Sequence, residues 1–341
     1  CVGHDDLMVL MFTSGTTGRS KAVMLSERNF FTTVECQVKF GDAMLDYKHE
    51  HMPEDKNDVL SNFAILPLFH LGTFICLFVW ACKGWALNLS ADIRDFYRDL
   101  GLMHSDAIAV APMLMEAIYK DVKRGRRARL NGVWNPCGSS AMFDGAMLAE
   151  LAQQGMMITQ VYGMTETCGD GIINYEQDEK HIRAVGKPDD HAEYKLDETG
   201  EICIRGGCVM LGYYKDPEAT AEVLDADGWF HTGDLARVDE DGFYYITGRK
   251  KNIIILDNGE NVSPEELENL LFKCEAVKEC IVREKGKKIC AVIYCGEADQ
   301  QTVRDFITET NRTLPLYKRM SAVEFSTEPL PRTGTGKLLR K

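Results

Sequence analysis

The feature that most constrains the fold is the loop at residues 12–21, which joins an apolar run to the start of a helical pattern. Residues 7–11 are apolar, as in a buried strand, and residues 26–30 begin the helical pattern. The loop between them reads Phe12, Thr13, Ser14, Gly15, Thr16, Thr17, Gly18, Arg19, Ser20, Lys21. Hydroxyls, free N–H groups and an ammonium group on a strand–loop–helix connection predict a phosphate-binding loop.

This loop differs from a Walker A motif, which has four residues between its glycines and then Gly-Lys-Ser/Thr. Here two residues separate Gly15 from Gly18. From this stretch alone, a surface turn rich in Ser, Thr and Gly stays open as the alternative.

Length and charge limit the classes of protein that the chain can be. Its 341 residues are enough for about two to three domains. The net charge of -13 disfavours nucleic acid as a partner, because nucleic-acid binders present a basic face.

Neither a membrane span nor a metal centre built from cysteines is predicted. The longest apolar stretch, residues 71–82, is shorter than the ~20 residues that cross a bilayer, so we expect a buried helix there. The 12 cysteines are scattered and contain no C-x-x-C pair, which is typical of buried thiols in a reducing compartment. With no secretory signal visible, we expect a cytoplasmic protein.

Residues 60–161 alternate between short apolar strands and helical segments, a pattern that predicts a parallel α/β sheet. Strands are expected at residues 60–66, 107–111, 132–136 and 156–161, and helices at 113–123 and 144–153. The charged segment 47–58 is expected to be a loop. Since ligands bind at the carboxyl ends of parallel strands, the segments following these strands are candidate site residues.

Three such segments carry polar or aromatic side chains. His70 precedes the apolar stretch, a turn is expected at residues 137–141, and Tyr162 to Thr167 follow the last strand. A ring, a glycine, a hydroxyl and a carboxylate in the last segment could stack on a base, accommodate a phosphate and hold a hard cation. A lone His is as often structural as catalytic.

From residue 200 onward the pattern changes to short β segments with Gly turns. Asp234 is expected in such a turn, where its two oxygens could hold a ribose diol or close an Asx-turn. Residues 248–252 would suit a domain boundary, and Ser263 caps a helix that starts at Pro264. The end of the chain is expected to be a small α+β unit in which a Gly-rich loop presents Lys337.

Six segments, taken in order, resemble the motif series of the AMP-forming acyl-CoA synthetase superfamily, which also holds nonribosomal peptide adenylation domains and firefly luciferases. They are residues 13–21, 67–70, 162–166, 232–234, 248–251 and 331–337. Each motif is modest alone, but all six in this order are highly specific. Ser20 and Ala22 replace the family's usual Pro and frequent Gly, and neither change removes a donor from the loop.

The resemblance implies an α/β fold in two domains. Residues 1–249 would be part of the large AMP-binding domain, with a parallel sheet in 1–190 and a β-rich subdomain in 191–249. Residues 250–341 would form a small, mobile α+β domain with a hinge near Lys251. The family normally has a large region ahead of the phosphate loop, so we expect a fragment or truncated chain, and a naturally short protein is the alternative.

The implied reaction has two steps: ATP-dependent activation of a carboxylic acid to an acyl-adenylate, then thioester formation with coenzyme A. ATP, Mg²⁺ and coenzyme A are therefore expected, and a homodimer is left open. The apolar residues 71–80 favour a fatty or aromatic acid, and a fatty acid is our expectation. Two alternatives stay open: transfer to a carrier-protein phosphopantetheine, and a non-catalytic nucleotide-binding protein.

The resemblance also assigns roles to individual residues. Lys337 would bridge the carboxylate and α-phosphate, Glu166 would ligate Mg²⁺, Thr165 would contact the α-phosphate, and His70 would line the acyl site. The residues expected to hold the β- and γ-phosphates are Thr13, Ser14, Gly15, Thr16, Thr17, Gly18 and Lys21. Those expected at the adenine are Gly138, Ser139, Ser140, Tyr162 and Gly163. The ribose is expected at Asp234 and Arg249, the hinge at Lys251 and the thiol tunnel at Gly259.

We predict that Lys337→Ala lowers the rate of acyl-adenylate formation by on the order of 100-fold, because a positioned cation no longer meets the charge that develops on the phosphate. Thioester formation from supplied acyl-adenylate should change far less. Single-turnover assays of the two half-reactions measure this, and equal losses in both would refute the role.

Overall fold

The computed structural model describes residues 3–13, 20–139, 143–169, 171–256, 260–286, 288–332 and 338–339, and for Ser139 the backbone alone. Within these ranges the α-helices are α1 (Glu27–His51), α2 (Leu71–Lys83), α3 (Phe96–Leu102), α4 (Pro112–Lys123), α5 (Gly145–Gln153), α6 (Pro217–Ala221), α7 (Pro264–Leu271) and α8 (Gln300–Thr313).

The strands fall into two groups along the chain. Those before residue 215 are β1 (Leu7–Thr13), β2 (Lys21–Ser26), β3 (Ser61–Ala64), β4 (Ala86–Leu89), β5 (Ala107–Val110), β6 (Asn135–Ser139), β7 (Thr159–Gly163), β8 (Gly171–Asn174), β9 (Ala192–Leu196), β10 (Glu201–Gly206) and β11 (Gly212–Tyr213). Those after it are β12 (Phe230–Val238), β13 (Tyr244–Arg249), β14 (Ile254–Ile255), β15 (Asn261–Val262), β16 (Glu279–Lys285), β17 (Lys288–Tyr294) and β18 (Ala322–Ser326).

Contacts divide the chain into two compact units. The first unit comprises residues 1–195, 203–232 and 238–245, and the second comprises 196–202, 233–237 and 246–341. The expected domain boundary at residues 249/250 stays a prediction.

The first unit is built around a six-stranded sheet with the order β4-β3-β5-β6-β7-β8. Its strands are parallel except for β8, which runs antiparallel to β7. Helices follow the strands, and a core of large apolar side chains fills the space between them, including Phe63, Ile108, Met115 and Leu148. The expected parallel α/β architecture is confirmed.

A smaller antiparallel sheet of the first unit, with the order β1-β2-β11, supports the start of α1. Ser26 is the N-cap of α1, and its hydroxyl accepts a hydrogen bond from the Asn29 N–H at 3.3 Å. The Asn29 carboxamide oxygen accepts the Ser26 N–H in return, at 2.7 Å, which closes a capping box. The end of β2 and the start of α1 are therefore fixed at this junction by local chemistry.

Strands β9, β10, β12 and β13 form a four-stranded sheet with the order β13-β12-β10-β9. The second unit contains the pair β14-β15 and the sheet β16-β17-β18, in which β17 and β18 are parallel. Leu267 and Leu271 of α7 and Val303 and Ile307 of α8 belong to its apolar core. Ser263 caps α7 as predicted, and its hydroxyl accepts the Glu266 N–H at 3.4 Å.

The structure corrects four local expectations. The loop at residues 12–21 was expected to join a strand directly to a helix, but strand β2 follows it and pairs with β1 before α1 begins. Residues 47–51 continue α1, where they were expected in a loop, because Lys48 is 1% exposed and its ammonium pairs with Asp55 at 3.0 Å. Strand β6 runs through residues 137–139, where a turn was expected, because it is paired with β5 and β7. Asp234 lies inside β12, where a turn was expected. Gly233 before it has a φ of 73°, a left-handed backbone conformation that glycine adopts without strain.

Among the helices of the described ranges, we find none with the length and apolar content that crossing a bilayer requires. The apolar stretch identified in the sequence is helix α2, with Leu71, Ile75 and Val79 buried.

Asp106 joins three strands of the large sheet from a buried position, with 4% of its surface exposed. One oxygen accepts the Ser61 N–H at 2.7 Å and the Ser61 hydroxyl at 2.9 Å, and the other accepts the Trp134 indole N–H at 3.0 Å. Asp106 directly precedes β5, so these bonds join that strand to the first residue of β3 and to the residue before β6.

We predict that Asp106→Ala lowers the free energy of unfolding by about 3 kcal/mol, because three donors lose a charged acceptor in a buried place. Urea denaturation measures the loss. The matched control is Glu116→Ala, which removes an exposed carboxylate paired with Lys120 and should cost less than about 0.5 kcal/mol. A loss below about 1 kcal/mol for the Asp106 variant would contradict the assignment.

Candidate active site

The two ends of the predicted phosphate loop face each other across β1 and β2. Thr13 ends β1 and pairs with Lys21, the first residue of β2. Five predicted residues between them lie outside the described residues: Ser14, Gly15, Thr16, Thr17 and Gly18. Their roles stay predictions.

The large sheet brings two predicted adenine-binding segments together at the carboxyl ends of neighbouring parallel strands. Gly138 and Ser139 end β6, and Tyr162 and Gly163 end β7, with Gly138 opposite Gln160. This is the edge of the sheet where α/β proteins bind ligands. Ser140 lies outside the described residues.

The ring of Phe143 leaves little room for a side chain at position 138. A Cβ atom there would lie 2.4 Å from the Phe143 ring. The nucleotide-binding role of Gly138 stays a prediction, because the contact with Phe143 is enough to explain a glycine there.

The thiol of the neighbouring Cys137 is an unsuitable nucleophile, because burial raises its pKa to about 12.

Thr165 and Glu166 lie in a single turn of 3₁₀-helix, Thr165–Thr167, directly after β7. The Met164 N–H donates to the Thr167 hydroxyl at 3.3 Å, and the Gly169 N–H donates to the Met164 carbonyl at 2.8 Å. Cys168 closes the turn in the left-handed region, with φ of 56°. The turn thus presents a hydroxyl and a carboxylate at the ligand-binding edge of the sheet.

A segment distant in sequence fastens this turn to β2. The Met210 N–H donates to the Glu166 carbonyl at 2.8 Å, and the Leu211 N–H donates to the Met24 carbonyl at 2.9 Å. Tyr213 follows, and its hydroxyl donates to Glu166 Oε1 at 2.9 Å. The Lys21 ammonium lies 4.4 Å from the centroid of the same ring. The first unit therefore gathers residues of two predicted motifs, Lys21 and Glu166, around one tyrosine.

The oxygen atoms of this cluster suit a hard divalent cation, and its ammonium group suits an anion bound to that cation. Carboxylate and hydroxyl oxygens, such as those of Glu166 and Thr165, are the ligands that Mg²⁺ prefers. The Lys21 ammonium provides positive charge for an anion.

His70 is exposed and directly precedes α2, with its N–H bonded to the Pro67 carbonyl at 2.9 Å. A Cβ atom at Gly72 would lie 3.8 Å from His70 Nδ1, so the imidazole lies beside the first turn of the helix. Phe69 next to it is 81% exposed. An imidazole and an apolar ring are thus accessible here, and their role in acyl binding stays a prediction.

The second unit holds the predicted ribose-binding pair. Asp234 is 4% exposed, and its carboxylate forms an ion pair with the guanidinium of Arg249 at the end of β13. An Arg beside a carboxylate is a rigid, permanently charged partner that fixes the orientation of the acid. Lys251 follows in a short 3₁₀ turn, Lys250–Asn252, and is exposed.

The buried carboxylate of Glu201 bonds to a residue next to each member of this pair. Glu201 is 3% exposed, accepts the Gly233 N–H at 2.7 Å and accepts the Lys250 ammonium at 2.6 Å. The hydrogen bond that Lys250 donates to the Glu201 carboxylate raises the pKa of Lys250. Glu201 therefore holds the residue before Asp234 and the residue after Arg249.

Sequence reasoning missed both Tyr213 and Glu201. Each follows a glycine, Gly212 and Gly200, in the β-rich part of the chain, which is a weak local signal of a fixed backbone. Their partners are far away in sequence. Gly259 and Lys337 lie outside the described residues, so their roles stay predictions.

Comparison with known proteins identifies the class of protein to which this fold and site belong. The family model described as AMP-binding enzyme matches residues 1–214, and the AMP-binding enzyme C-terminal domain matches residues 266–337. The chain therefore belongs to the AMP-binding enzyme family, which confirms the resemblance seen in its motifs.

Two curated relatives indicate how the chain compares with longer proteins. It is 30% identical over 375 residues to 4-coumarate–CoA ligase 3 of Oryza sativa subsp. japonica, covering 100% of this chain and 64% of the relative. It is 30% identical over 356 residues to the long-chain-fatty-acid–CoA ligase of Salmonella typhimurium, covering 99% of this chain and 61% of the relative. The chain thus spans less than two thirds of the length of either protein.

A solved structure shares the fold. The o-succinylbenzoate coenzyme A synthetase of Bacillus subtilis, in complex with ATP and magnesium ion, matches with a TM-score of 0.79 and 26% identity. The match covers 99% of this chain and 70% of that one.

Proposed function

We propose that this chain belongs to an AMP-forming acid–thiol ligase, which activates a carboxylic acid with ATP and transfers the acyl group to coenzyme A. The observation that carries the proposal is the cluster of Lys21, Tyr213 and Glu166. In this cluster the ammonium of Lys21 and the carboxylate of Glu166, which belong to two separate motifs, both contact the side chain of Tyr213. The names of the relatives, which include CoA ligases for aromatic and fatty acids, support it.

In the first half-reaction, the substrate carboxylate attacks the α-phosphate of ATP, and pyrophosphate leaves. Thr13 and Lys21 would contact the phosphates, and the Lys21 charge would oppose their repulsion of the incoming carboxylate. Glu166 would hold Mg²⁺, which supplies positive charge to the phosphate oxygens when bound, and Thr165 would contact the α-phosphate. Lys337 would contact both the carboxylate and the α-phosphate.

The remaining parts of ATP would be held by the other assigned residues. Tyr162 would stack on adenine next to Gly138, and Asp234 with Arg249 would hold the ribose. In the second half-reaction, the thiol of coenzyme A displaces AMP from the acyl-adenylate. Gly259 would line the thiol tunnel after a rotation near Lys251.

We propose a fatty acid as the substrate class, with an aromatic acid as the main competitor. The apolar helix α2 follows His70 and exposes Phe78 to 36%. An amino acid would require a carboxylate partner for its ammonium group, and the motifs supply no clear candidate.

We expect the complete gene product to release pyrophosphate from ATP and Mg²⁺ with one class of acid in a panel of short, medium, long-chain and aromatic acids, and amino acids should give none. A coupled pyrophosphate assay measures this, with this chain assayed alongside. Coenzyme A and a carrier protein, offered side by side, identify the acceptor. ATP binding without pyrophosphate release from any acid would favour the non-catalytic alternative.

We further predict that Lys251→Pro spares adenylation and lowers thioester formation by on the order of 100-fold, because a proline fixes φ at a position that must rotate between the half-reactions. The matched control is Glu198→Pro. It lies in an exposed turn closed by the Gly200 N–H and Asp197 carbonyl at 3.0 Å, where proline is tolerated. Loss of adenylation with intact thioester formation would reverse the assignment.

A further inference from the structure

Tyr213 contacts a residue of each of two predicted motifs, although none of the motifs contains it. It is 6% exposed, its hydroxyl donates to Glu166 Oε1 at 2.9 Å, and its ring lies 4.4 Å from the Lys21 ammonium. We propose that Tyr213 is a positioning residue, which orients the Glu166 carboxylate for a divalent cation and holds Lys21 ready for the phosphates. This inference rests on the proposed function.

The fold leaves Tyr213 little freedom. Its strand β11 pairs with β2, with Tyr213 opposite Val23. Its N–H donates to the Thr220 hydroxyl at 2.9 Å, and that hydroxyl in turn donates to the Asp216 carbonyl at 2.8 Å. A phenol anchored at its backbone and packed in the core can impose a direction on a flexible carboxylate.

The hydroxyl is suited to a fixed donor role. It donates to Glu166 Oε1 at 2.9 Å from a residue that is only 6% exposed, so water competes little for that hydrogen bond. Partners behind a metal ligand of this kind commonly change metal affinity by about 10- to 100-fold when they are removed.

The ring has a second role toward Lys21. The face of an aromatic ring attracts a cation without carrying a net charge of its own. The contact thus restrains the ammonium and leaves its positive charge available to an anion. A direct ion pair between Lys21 and Glu166 would instead cancel the two charges that the proposed ligands require.

A purely structural role for Tyr213 makes a different prediction. The side chain belongs to the apolar core that also contains Val23 and Met210, so its truncation would lower stability whatever its effect on ligands. Tyr213→Phe keeps the ring and removes the hydroxyl. It therefore separates positioning from packing.

The test measures Mn²⁺ binding in the presence of ATP by electron paramagnetic resonance, with the complete gene product. We expect Tyr213→Phe to weaken Mn²⁺ binding by about tenfold while its melting temperature stays near that of the wild type. The Mg²⁺ concentration for half-maximal pyrophosphate release should rise by the same factor. Tyr213→Leu, which also removes the ring, should further weaken ATP binding at saturating metal by about fivefold.

Two control variants test whether Tyr213→Phe changes Mn²⁺ binding through Glu166. Tyr214→Phe alters a neighbouring tyrosine that is 44% exposed and lies beside Lys215, and it should leave Mn²⁺ binding unchanged. In a Glu166→Ala background, Tyr213→Phe should have no further effect on Mn²⁺ binding, because the group that it orients is gone.

Equal Mn²⁺ affinity of the wild type and Tyr213→Phe would overturn the proposal, and so would an undiminished effect in the Glu166→Ala background. Failure of the proposed ligase function is a separate outcome: the wild type would bind Mn²⁺ and ATP but release no pyrophosphate with any acid. Absence of Mn²⁺–ATP binding by the wild type would overturn both.

Discussion

The first unit depends on the carboxamide of Asn29, a buried group that uses its oxygen and both of its hydrogens. The oxygen accepts the Ser26 N–H, and the amide hydrogens go to the carbonyls of Gly207 and Val209 at 2.7 and 2.8 Å. One side chain thus caps the long helix α1 and holds a segment more than 170 residues away. Since a buried amide is costly to leave unpaired, this arrangement defines the course of the 207–209 segment.

The position of Glu166 in the candidate site depends on these hydrogen bonds of Asn29. The segment held by Asn29 continues to Met210, which bonds the Glu166 carbonyl, and to Tyr213, which bonds the Glu166 carboxylate. Glu166 is therefore held at both its backbone and its side chain. In the second unit Glu201 has a comparable role, because it fixes the backbone before Asp234 and the side chain after Arg249. In both places a polar group held by main-chain bonds positions the groups that carry charge.

Patterns that are local in sequence predicted local structure well. The helix start at residues 26–30, the cap at Ser263 and the alternation of strands and helices depend on neighbouring residues, and the structure confirms them. Expectations were wrong where distant partners outweigh local preference: residues 47–51 remain helical around buried Lys48, and Asp234 lies in a strand with its partner Arg249 on another. Tyr213 and Glu201 could not be identified for the same reason. Their chemistry arises from contacts across many residues, and each appears in the sequence only as a residue after a glycine.

The charge of the chain makes such local arrangements necessary. With a net charge of -13, the protein as a whole does not attract a polyanion such as ATP. Salt screens exposed charges over about 10 Å, so the groups next to the ligand determine its binding. In the proposed roles, Lys21 and Glu166 would have to remain close together, because phosphate and cation would bind side by side, yet they would have to avoid neutralising each other. A tyrosine meets both conditions, since its hydroxyl hydrogen donates to the anion and its ring face attracts the cation. A phenylalanine would hold only Lys21, and a charged residue at this position would repel one of the two.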